Sequence, residues 1–191
     1  YFHQAIWAFR HIKDSAVDSH VDIGSEVNFV GLLTCITQVT FVDIRPLKLV
    51  IPNYTGLRGS IVELPFADGT VKSLSCLHVI EHIGLGRYGD PIDPHGPERA
   101  GREIARVLQA GGRAYISTPV GRPRVQFNGQ RVFGIAEVIY IFRGLTLAEF
   151  SLVDAHGTLR EKIDPTTADI REEGAGLDCG LGMFVFQKTA D

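Results

Sequence analysis

The sequence predicts an α/β fold in which a mostly parallel, doubly wound sheet carries helices on both faces. The first reason is the order of its segments, because short β-type runs alternate with helical stretches along the chain. The second reason is composition: 191 residues, 45% apolar and 21% charged, are typical of one globular domain. A third is the polar and glycine residues that end the predicted strands, where such sheets bind ligands.

The chain opens with an amphipathic helix, since Phe2, Ile6, Phe9 and Ile12 recur at helical spacing. Two β-type runs follow, S-H-V-D-I-G at 19–24 and Q-V-T-F-V-D-I at 38–44. The stretch between the two runs is long enough for a short helix. The beginning of the chain is therefore predicted as a helix followed by a strand, helix, strand unit.

The same alternation continues through the middle of the chain. We predict strands near 59–62, 73–79 and 113–118, and a helix near 97–108. On that helix the apolar side chains form one face, and Arg99, Arg102 and Arg106 are expected to point into water.

The last third of the chain is predicted to contain a helix at 135–142 and two closing strands at 145–153 and 182–188. The segment 160–180 has no sustained period and is predicted as a long loop. We expect one domain over 1–191. It divides into an N-terminal helix (1–16), a core (19–155), and a C-terminal loop with the last strand (156–191).

The charge and the cysteine content limit the binding partners and the cellular location that we expect. Nineteen Lys plus Arg against 22 Asp plus Glu give a net charge of -3, which argues against nucleic acid or an anionic membrane as a partner. No apolar run approaches the roughly 18 residues of a membrane span. Cys35, Cys76 and Cys179 are odd in number and far apart, so we expect reduced thiols and a cytoplasmic location. Because the chain starts at Tyr1, we expect it to be a piece of a longer product, with room upstream for a targeting signal or a partner domain.

The predicted strand ends carry the candidate chemistry. The first strand ends in Asp22, Gly24 and Ser25, where glycine permits close backbone approach to a ligand. The second ends in Asp43, 21 residues after Asp22. In sheets of this kind, an acid about 20 residues beyond the glycine turn accepts hydrogen bonds from ribose hydroxyls.

Three further motifs occur in a recognisable order: L-P-F-A-D-G-T-V-K-S-L (64–74), H-V-I-E-H-I (78–83) and R-V-L-Q-A-G-G-R-A-Y-I-S-T-P (106–119). Over about 19–155 the chain thus resembles the small-molecule, type 11-like branch of the class I S-adenosylmethionine-dependent methyltransferases. A closer likeness, through V-D-I-R-P, H-V-I-E-H-I-G-L-G-R-Y-G-D-P-I-D-P and F-N-x-x-R-V-F, is to a little-characterised family within this group. The resemblance implies a Rossmann-like sheet of seven strands with an antiparallel last strand, and S-adenosylmethionine as the cofactor.

By the same resemblance, several residues line the cofactor. Asp22, Gly24 and Ser25 would lie at its methionine end, and Asp43 would hold its ribose. The remaining set surrounds the adenine or closes the pocket and consists of Ile44, Ser60, Ile61 and His78.

The glycine turn departs from the family pattern. Glu26 and Asn28 stand where the family has its second and third glycines. Their side chains are expected to crowd the turn, and Glu26 adds negative charge near a ligand that carries a carboxylate.

The motif H-V-I-E-H also matches the H-x-x-E-H zinc site of inverted zinc peptidases. That site needs a helix, whereas residues 73–79 are predicted as a strand, so we expect no metal. Instead His82, with Glu81 beside it, is the candidate general base, because histidine titrates near neutral pH. The alternative role for His82 is to hydrogen-bond the following loop.

Substrate contacts are expected from loops at the carboxyl ends of the strands, namely from Arg87, Tyr88, Asn128 and Arg131. The predicted function is methyl transfer from S-adenosylmethionine to a small polar acceptor such as a sugar or related metabolite. The alternative is a catalytically inactive methyltransferase-like module that binds a ligand or a protein partner. A nicotinamide-dependent enzyme is disfavoured, because the phosphate-binding G-x-G-x-x-G is absent from the turn after the first predicted strand, D-I-G-S-E-V-N.

Overall fold

A computed structural model describes residues 2–126, 129–167, 170, 176 and 178–189. Asn128, predicted as a substrate contact, lies outside the described residues, as does part of the predicted 160–180 loop. Within the described part of the chain, no helix is long and apolar enough to cross a membrane.

Strands and helices alternate as predicted. The strands are β1 Ser19–Ile23, β2 Gln38–Asp43, β3 Tyr54–Arg58, β4 Val71–Leu77, β5 Leu108–Val120, β6 Arg124–Val125, β7 Arg131–Val132, β8 Thr146–Val153, β9 Leu159–Arg160 and β10 Gly180–Gln187. The helices are α1 Phe2–Ser15, α2 Val27–Leu33, α3 Gly96–Val107 and α4 Ile135–Ile141, with a 3₁₀ helix at Ile80–His82.

One large sheet has the strand order β3-β2-β1-β4-β5-β10-β8-β9. The pairs from β3 to β5 are parallel, and β10 lies antiparallel between β5 and β8. This confirms the predicted Rossmann-like fold with an antiparallel last strand, to which the two-residue strand β9 is added at one edge. The order reverses between β1 and β4, so the carboxyl ends of these neighbouring strands border the crevice where such sheets bind ligands.

Two apolar clusters hold helices on opposite faces of the sheet. On one face, Trp7 and Ile12 of α1 and Phe29 and Leu33 of α2 are buried together. On the other face, the buried residues of α3 and α4 include Ile104 and Val138. Each strand contributes side chains to both faces of the sheet, because alternate side chains point in opposite directions.

The close approach of α3 to α4 depends on one glycine. A Cβ at Gly101 would collide with the carbonyl oxygen of Ile141. The α3 backbone can therefore pack directly against the end of α4.

Three predictions need correction. The third strand is Tyr54–Arg58 and not 59–62, because it is an edge strand with largely exposed side chains that leave little hydrophobic pattern. In the predicted 160–180 loop, Ile170 is helical and buried in the main core, and Gly176 is helical. Arg106 does not simply point into water: it binds Asp68, Glu103 and the carbonyl oxygens of Leu64 and Phe66.

Candidate active site

The glycine turn after β1 lies where three strand ends meet. Gly24 has a φ of +64°, and its N–H donates to the carbonyl oxygen of Val42 at 3.0 Å. A Cβ on Gly24 would lie 3.4 Å from Val79, after β4, and 3.6 Å from Oδ2 of Asp43, at the end of β2. Glycine thus keeps open the space between these two side chains. We call Gly24, Asp43, His78, Val79 and His82 the strand-end site.

Asp22 and Ser25 fix the shape of this turn. Oδ1 of Asp22 accepts from the Ser25 N–H at 3.0 Å, and the Ser25 hydroxyl oxygen accepts from the Leu77 N–H at 3.1 Å. Asp22 is fully buried, so its carboxylate has no surface exposed to solvent. Through its hydrogen bond to the Ser25 N–H, Asp22 positions the turn.

A buried polar chain continues below the turn. The Ser75 hydroxyl donates to Oδ2 of Asp22, and Nε2 of His20 lies 2.8 Å from the same hydroxyl oxygen. Nδ1 of His20 lies 2.7 Å from the hydroxyl of Ser73. Burial raises the pKa of Asp22 to about 6 and lowers the pKa of His20 to about 3, because an apolar interior disfavours both charged forms.

Asp43 is a half-buried acid at the end of β2. Its Oδ1 accepts from the backbone N–H of Arg45 at 2.7 Å. Among the described residues, no donor is hydrogen-bonded to Oδ2, the oxygen that faces Gly24. A carboxylate oxygen in this position can accept a hydrogen bond from a bound hydroxyl.

The predicted adenine-side residues have different surroundings. The carbonyl oxygen of Asp43 accepts from the Gly59 N–H at 3.1 Å, which brings the half-buried Ser60 beside the end of β2. Ile44 is also half-buried. Ile61 is only 5% exposed and packs in the main core. It can therefore shape the wall of the site but offers little surface to a ligand.

His78 and Glu81 form a pair at the end of β4. His78 has a φ of +56°, a left-handed conformation that is uncommon outside glycine and frequent at functional sites. Its Nδ1 lies 2.5 Å from Oε1 of Glu81. Glu81 is fully buried, and its Oε2 accepts from the Thr118 hydroxyl at 3.3 Å. The carboxylate that the sequence associated with His82 thus contacts His78.

His82 lies at the end of the 3₁₀ helix and is half-buried. Its Nδ1 is 3.2 Å from the carbonyl oxygen of Gly129, and the Tyr88 ring meets it edge-on with centroids 5.5 Å apart. Because a carbonyl can only accept, Nδ1 must carry the hydrogen, which leaves the lone pair of neutral His82 on Nε2. Burial lowers the pKa of His82, so the neutral form dominates near pH 7.

The predicted substrate residues divide into two kinds. Arg87 and Tyr88 are exposed, and Nη1 of Arg87 donates to the carbonyl oxygen of Gly129 at 2.8 Å. Arg131 is half-buried and donates to the carbonyl oxygen of Ile83, and burial lowers its pKa. Arg131 therefore ties β7 to the loop after β4, whereas Arg87 and Tyr88 remain accessible.

Glu26 does not crowd the turn. It caps α2: Oε2 accepts from the Phe29 N–H at 3.2 Å, and Oε1 accepts from the Asn28 amide at 2.6 Å. The helix N-terminus and the amide thus partly balance its charge. Both side chains are exposed, so the expected crowding is not what the structure shows.

The arrangement of H-V-I-E-H differs from a zinc-binding helix. His78 ends a strand with positive φ, and only Ile80–His82 are helical. Among the described residues, no group of three or more His, Cys, Asp or Glu side chains could hold a metal ion.

Sequence reasoning missed two features. Arg45, two residues after Asp43, reaches the ring of Tyr88 across the site. In the sequence, only the position of Arg45 just after the second predicted strand indicates a role in the site. Glu103 of α3 accepts from the Leu64 N–H at 2.8 Å, so the L-P-F segment is held in place by α3.

Two cavities lie away from the strand ends. One of about 270 Å³ opens at the amino end of the sheet beside Ser15, Lys72 and Tyr115. Another of about 330 Å³ lies beside Glu149 and Lys162. The strand-end site, in contrast, has the topological position and the titratable side chains that binding and catalysis require.

Comparison with known families finds one match. A family described as "Caenorhabditis protein of unknown function, DUF268" matches residues 68–173. This stretch contains His78, Glu81, His82 and the loop that follows them. No curated protein matches the chain.

Solved structures share the fold. The N-methyltransferase NodS from Bradyrhizobium japonicum WM9, solved with S-adenosyl-L-homocysteine, is 14% identical with a TM-score of 0.65 over 98% of this chain and 87% of NodS. Geranyl diphosphate C-methyltransferase from Streptomyces coelicolor A3(2) is 14% identical with a TM-score of 0.66, over 98% and 77%. YcgJ from Bacillus subtilis is 15% identical with a TM-score of 0.66, and the two chains cover each other fully. These similarities establish the class I methyltransferase fold.

Proposed function

The chain belongs to the DUF268 family, and we propose that it transfers the methyl group of S-adenosylmethionine to a small polar acceptor. The observation that carries this proposal is the open carboxylate oxygen of Asp43, which faces the glycine turn where the strand order reverses. An acid in that position suits the two hydroxyls of a ribose. The structures of NodS and of the geranyl diphosphate methyltransferase, both with S-adenosylhomocysteine, support the choice of cofactor.

The residues of the strand-end site fit this cofactor. Asp43 would accept both ribose hydroxyl hydrogen bonds, and Gly24 leaves the space between Asp43 and Val79 that a side chain would fill. Ser25 holds the turn for the methionine end, while Ile44 and Ser60 lie on the adenine side. When bound, the cofactor supplies an electrophilic methyl group on a sulfonium sulfur.

The acceptor would lose its proton to His82. The lone pair on Nε2 can accept a proton, and the Gly129 carbonyl would stabilise the imidazolium that forms through its bond to Nδ1. His78, held by buried Glu81, would close the pocket from the end of β4. In-line positioning supplies most of the remaining rate.

We further propose that the protein acts in the cytoplasm on a small molecule. Cys35, Cys76 and Cys179 are all free thiols, as expected for a reducing compartment. The net charge of -3 offers no broad attraction to nucleic acid.

Isothermal titration with S-adenosylmethionine and S-adenosylhomocysteine tests the proposal, with NAD⁺ as the control ligand. We expect both sulfur compounds to bind at micromolar concentration and NAD⁺ not to bind. Asp43→Ala removes two charge-assisted hydrogen bonds, which costs about 3 kcal/mol, or about a hundredfold in affinity.

The matched control is Asp18→Ala, because Asp18 is an exposed acid outside the strand-end site. That variant should bind the cofactor as the wild type does. If Asp43→Ala also retains wild-type affinity, the ribose assignment is wrong. Failure of the wild type to bind either sulfur compound would favour a non-catalytic binding module.

A further inference from the structure

Two arginine side chains meet at one tyrosine ring beside the strand-end site. The guanidinium carbon of Arg45 lies 5.7 Å from the centroid of Tyr88, and that of Arg87 lies 5.3 Å from it. Arg45 comes from the loop after β2, whereas Arg87 and Tyr88 come from the loop after β4. The fold therefore brings together two cations that are far apart in sequence. We call Arg45 and Arg87 the arginine pair.

Neither cation has a counter-charge in the described part of the chain. No carboxylate of a described residue lies within 4.0 Å of the guanidinium of Arg45 or Arg87. Two nearby acids accept from backbone groups, and Oδ2 of Asp43, which accepts from no described donor, faces Gly24. Asp43 accepts from the Arg45 N–H, and Asp90 accepts from the N–H groups of Gly84 and Tyr88.

Two guanidinium groups that contact one ring repel each other, and an anion that binds both of them offsets that repulsion. Arginine is well suited to that anion, because its planar fork donates parallel hydrogen bonds to a carboxylate or phosphate. The aromatic face of Tyr88 attracts each guanidinium through a cation–π interaction. Tyr88 is 42% exposed, so a ligand can reach this surface from solvent.

The arginine pair is also close to the candidate base. The Tyr88 ring meets His82 edge-on at 5.5 Å, and Arg87 donates to the same Gly129 carbonyl oxygen that Nδ1 of His82 approaches. A molecule held by the two arginines would therefore have its other groups within reach of His82.

We propose that Arg45 and Arg87 bind an acidic group, a carboxylate or a phosphate, on the methyl acceptor, with Tyr88 as the platform. This rests on the proposed methyl transfer and specifies its substrate class: the acceptor is an anion. Arg131, predicted from sequence as a substrate contact, does not take part, since it is half-buried and bonded to the Ile83 carbonyl. Arg45, which the sequence did not single out, takes its place.

The test is titration of inorganic phosphate, and separately of acetate, into the full chain, followed by NMR at constant ionic strength. The variants are Arg45→Gln with Arg87→Gln, and the lysine pair Arg45→Lys with Arg87→Lys. The matched control is Arg102→Gln, an exposed arginine on α3. S-adenosylhomocysteine affinity is measured on every protein.

We expect the glutamine pair to weaken anion binding at least tenfold, the lysine pair to be intermediate, and Arg102→Gln to be unchanged. S-adenosylhomocysteine affinity should stay constant throughout. Preference for phosphate or acetate then identifies which acidic group the acceptor carries.

Equal anion affinity in the wild type and the glutamine pair would overturn the proposal. A parallel loss of S-adenosylhomocysteine affinity would also overturn it, because the arginines would then hold the cofactor. If the wild type binds anions through the pair but binds no S-adenosylhomocysteine, the anion site stands and the methyltransferase function fails.

Discussion

Replacing Asp22 by Asn should make the free energy of unfolding fall more steeply at acid pH than it does in the wild-type protein. This acid sensitivity comes from His20, whose pKa burial lowers to about 3. The unfolded chain takes up a proton at this residue near pH 6.5. Stability from neutral, buried His20 is therefore present above pH 6.5 and is lost as the pH falls toward 3.

Asp22 has the opposite effect. Burial raises its pKa to about 6, whereas the unfolded chain has an ordinary value of 3.8. The folded protein thus holds this proton more tightly than the unfolded chain does. The contribution of Asp22 to stability is greatest below pH 3.8 and is lost as the pH rises through 6.

The two contributions largely cancel on acidification. Each tenfold difference in proton affinity is worth about 1.4 kcal/mol, so from pH 7 to pH 4 His20 removes about 3 kcal/mol and Asp22 returns about 2 kcal/mol. Asparagine cannot take up the proton but can still accept from the Ser25 N–H, as Oδ1 of Asp22 does. Asp22→Asn should therefore lose about 2 kcal/mol more than the wild type over this range.

Urea denaturation followed by circular dichroism at pH 7, 5.5 and 4 measures this difference. Asp18→Asn, at an exposed position, is the matched control and should follow the wild type. Parallel curves for the wild type and Asp22→Asn would refute the opposed contributions of this buried pair.

Two further predictions concern the strand-end site. Gly24→Ala should cost about 1 kcal/mol of stability and at least tenfold in S-adenosylhomocysteine affinity, measured by denaturation and titration. The control is Gly69→Ala, because Gly69 has a similar φ of +67° with open space around it. This variant should lose stability but keep its S-adenosylhomocysteine affinity. Equal cofactor affinities in the two variants would contradict the role of Gly24. His82→Ala should lower turnover of an identified acceptor by about 100-fold with cofactor affinity retained, whereas exposed His156→Ala should not. Wild-type activity should fall as the pH drops through the pKa of His82, below 6.5, and a persistent acid limb in His82→Ala would refute its role.

Much of the fold could be predicted because the central strands are buried on both faces. Consecutive residues on opposite faces, Leu74 and Ser75 of β4 and Tyr115 and Ile116 of β5, are at most 1% exposed, and such strands are continuous in apolar and small residues. The edge strand β3 has no such pattern, and it was therefore predicted five or so residues too late.

The candidate site could be predicted only where a residue's position follows from the strand ends. Asp43 and Gly24 follow directly from β2 and β1, because parallel strands end at the same edge. The contact between Arg45 and Tyr88 depends on how two separate loops fold over the sheet, and no local pattern encodes it. The contact between Glu81 and His78 accompanies a positive φ at His78, which no local pattern encodes.

A crystal structure of the protein soaked with S-adenosylhomocysteine would test the central claim most directly. We expect the ribose hydroxyls within hydrogen-bond distance of both Asp43 carboxylate oxygens, and the sulfur on the side of the site where His82 lies. A ribose bound elsewhere, or a ligand that leaves the Asp43 carboxylate without a contact, would contradict it.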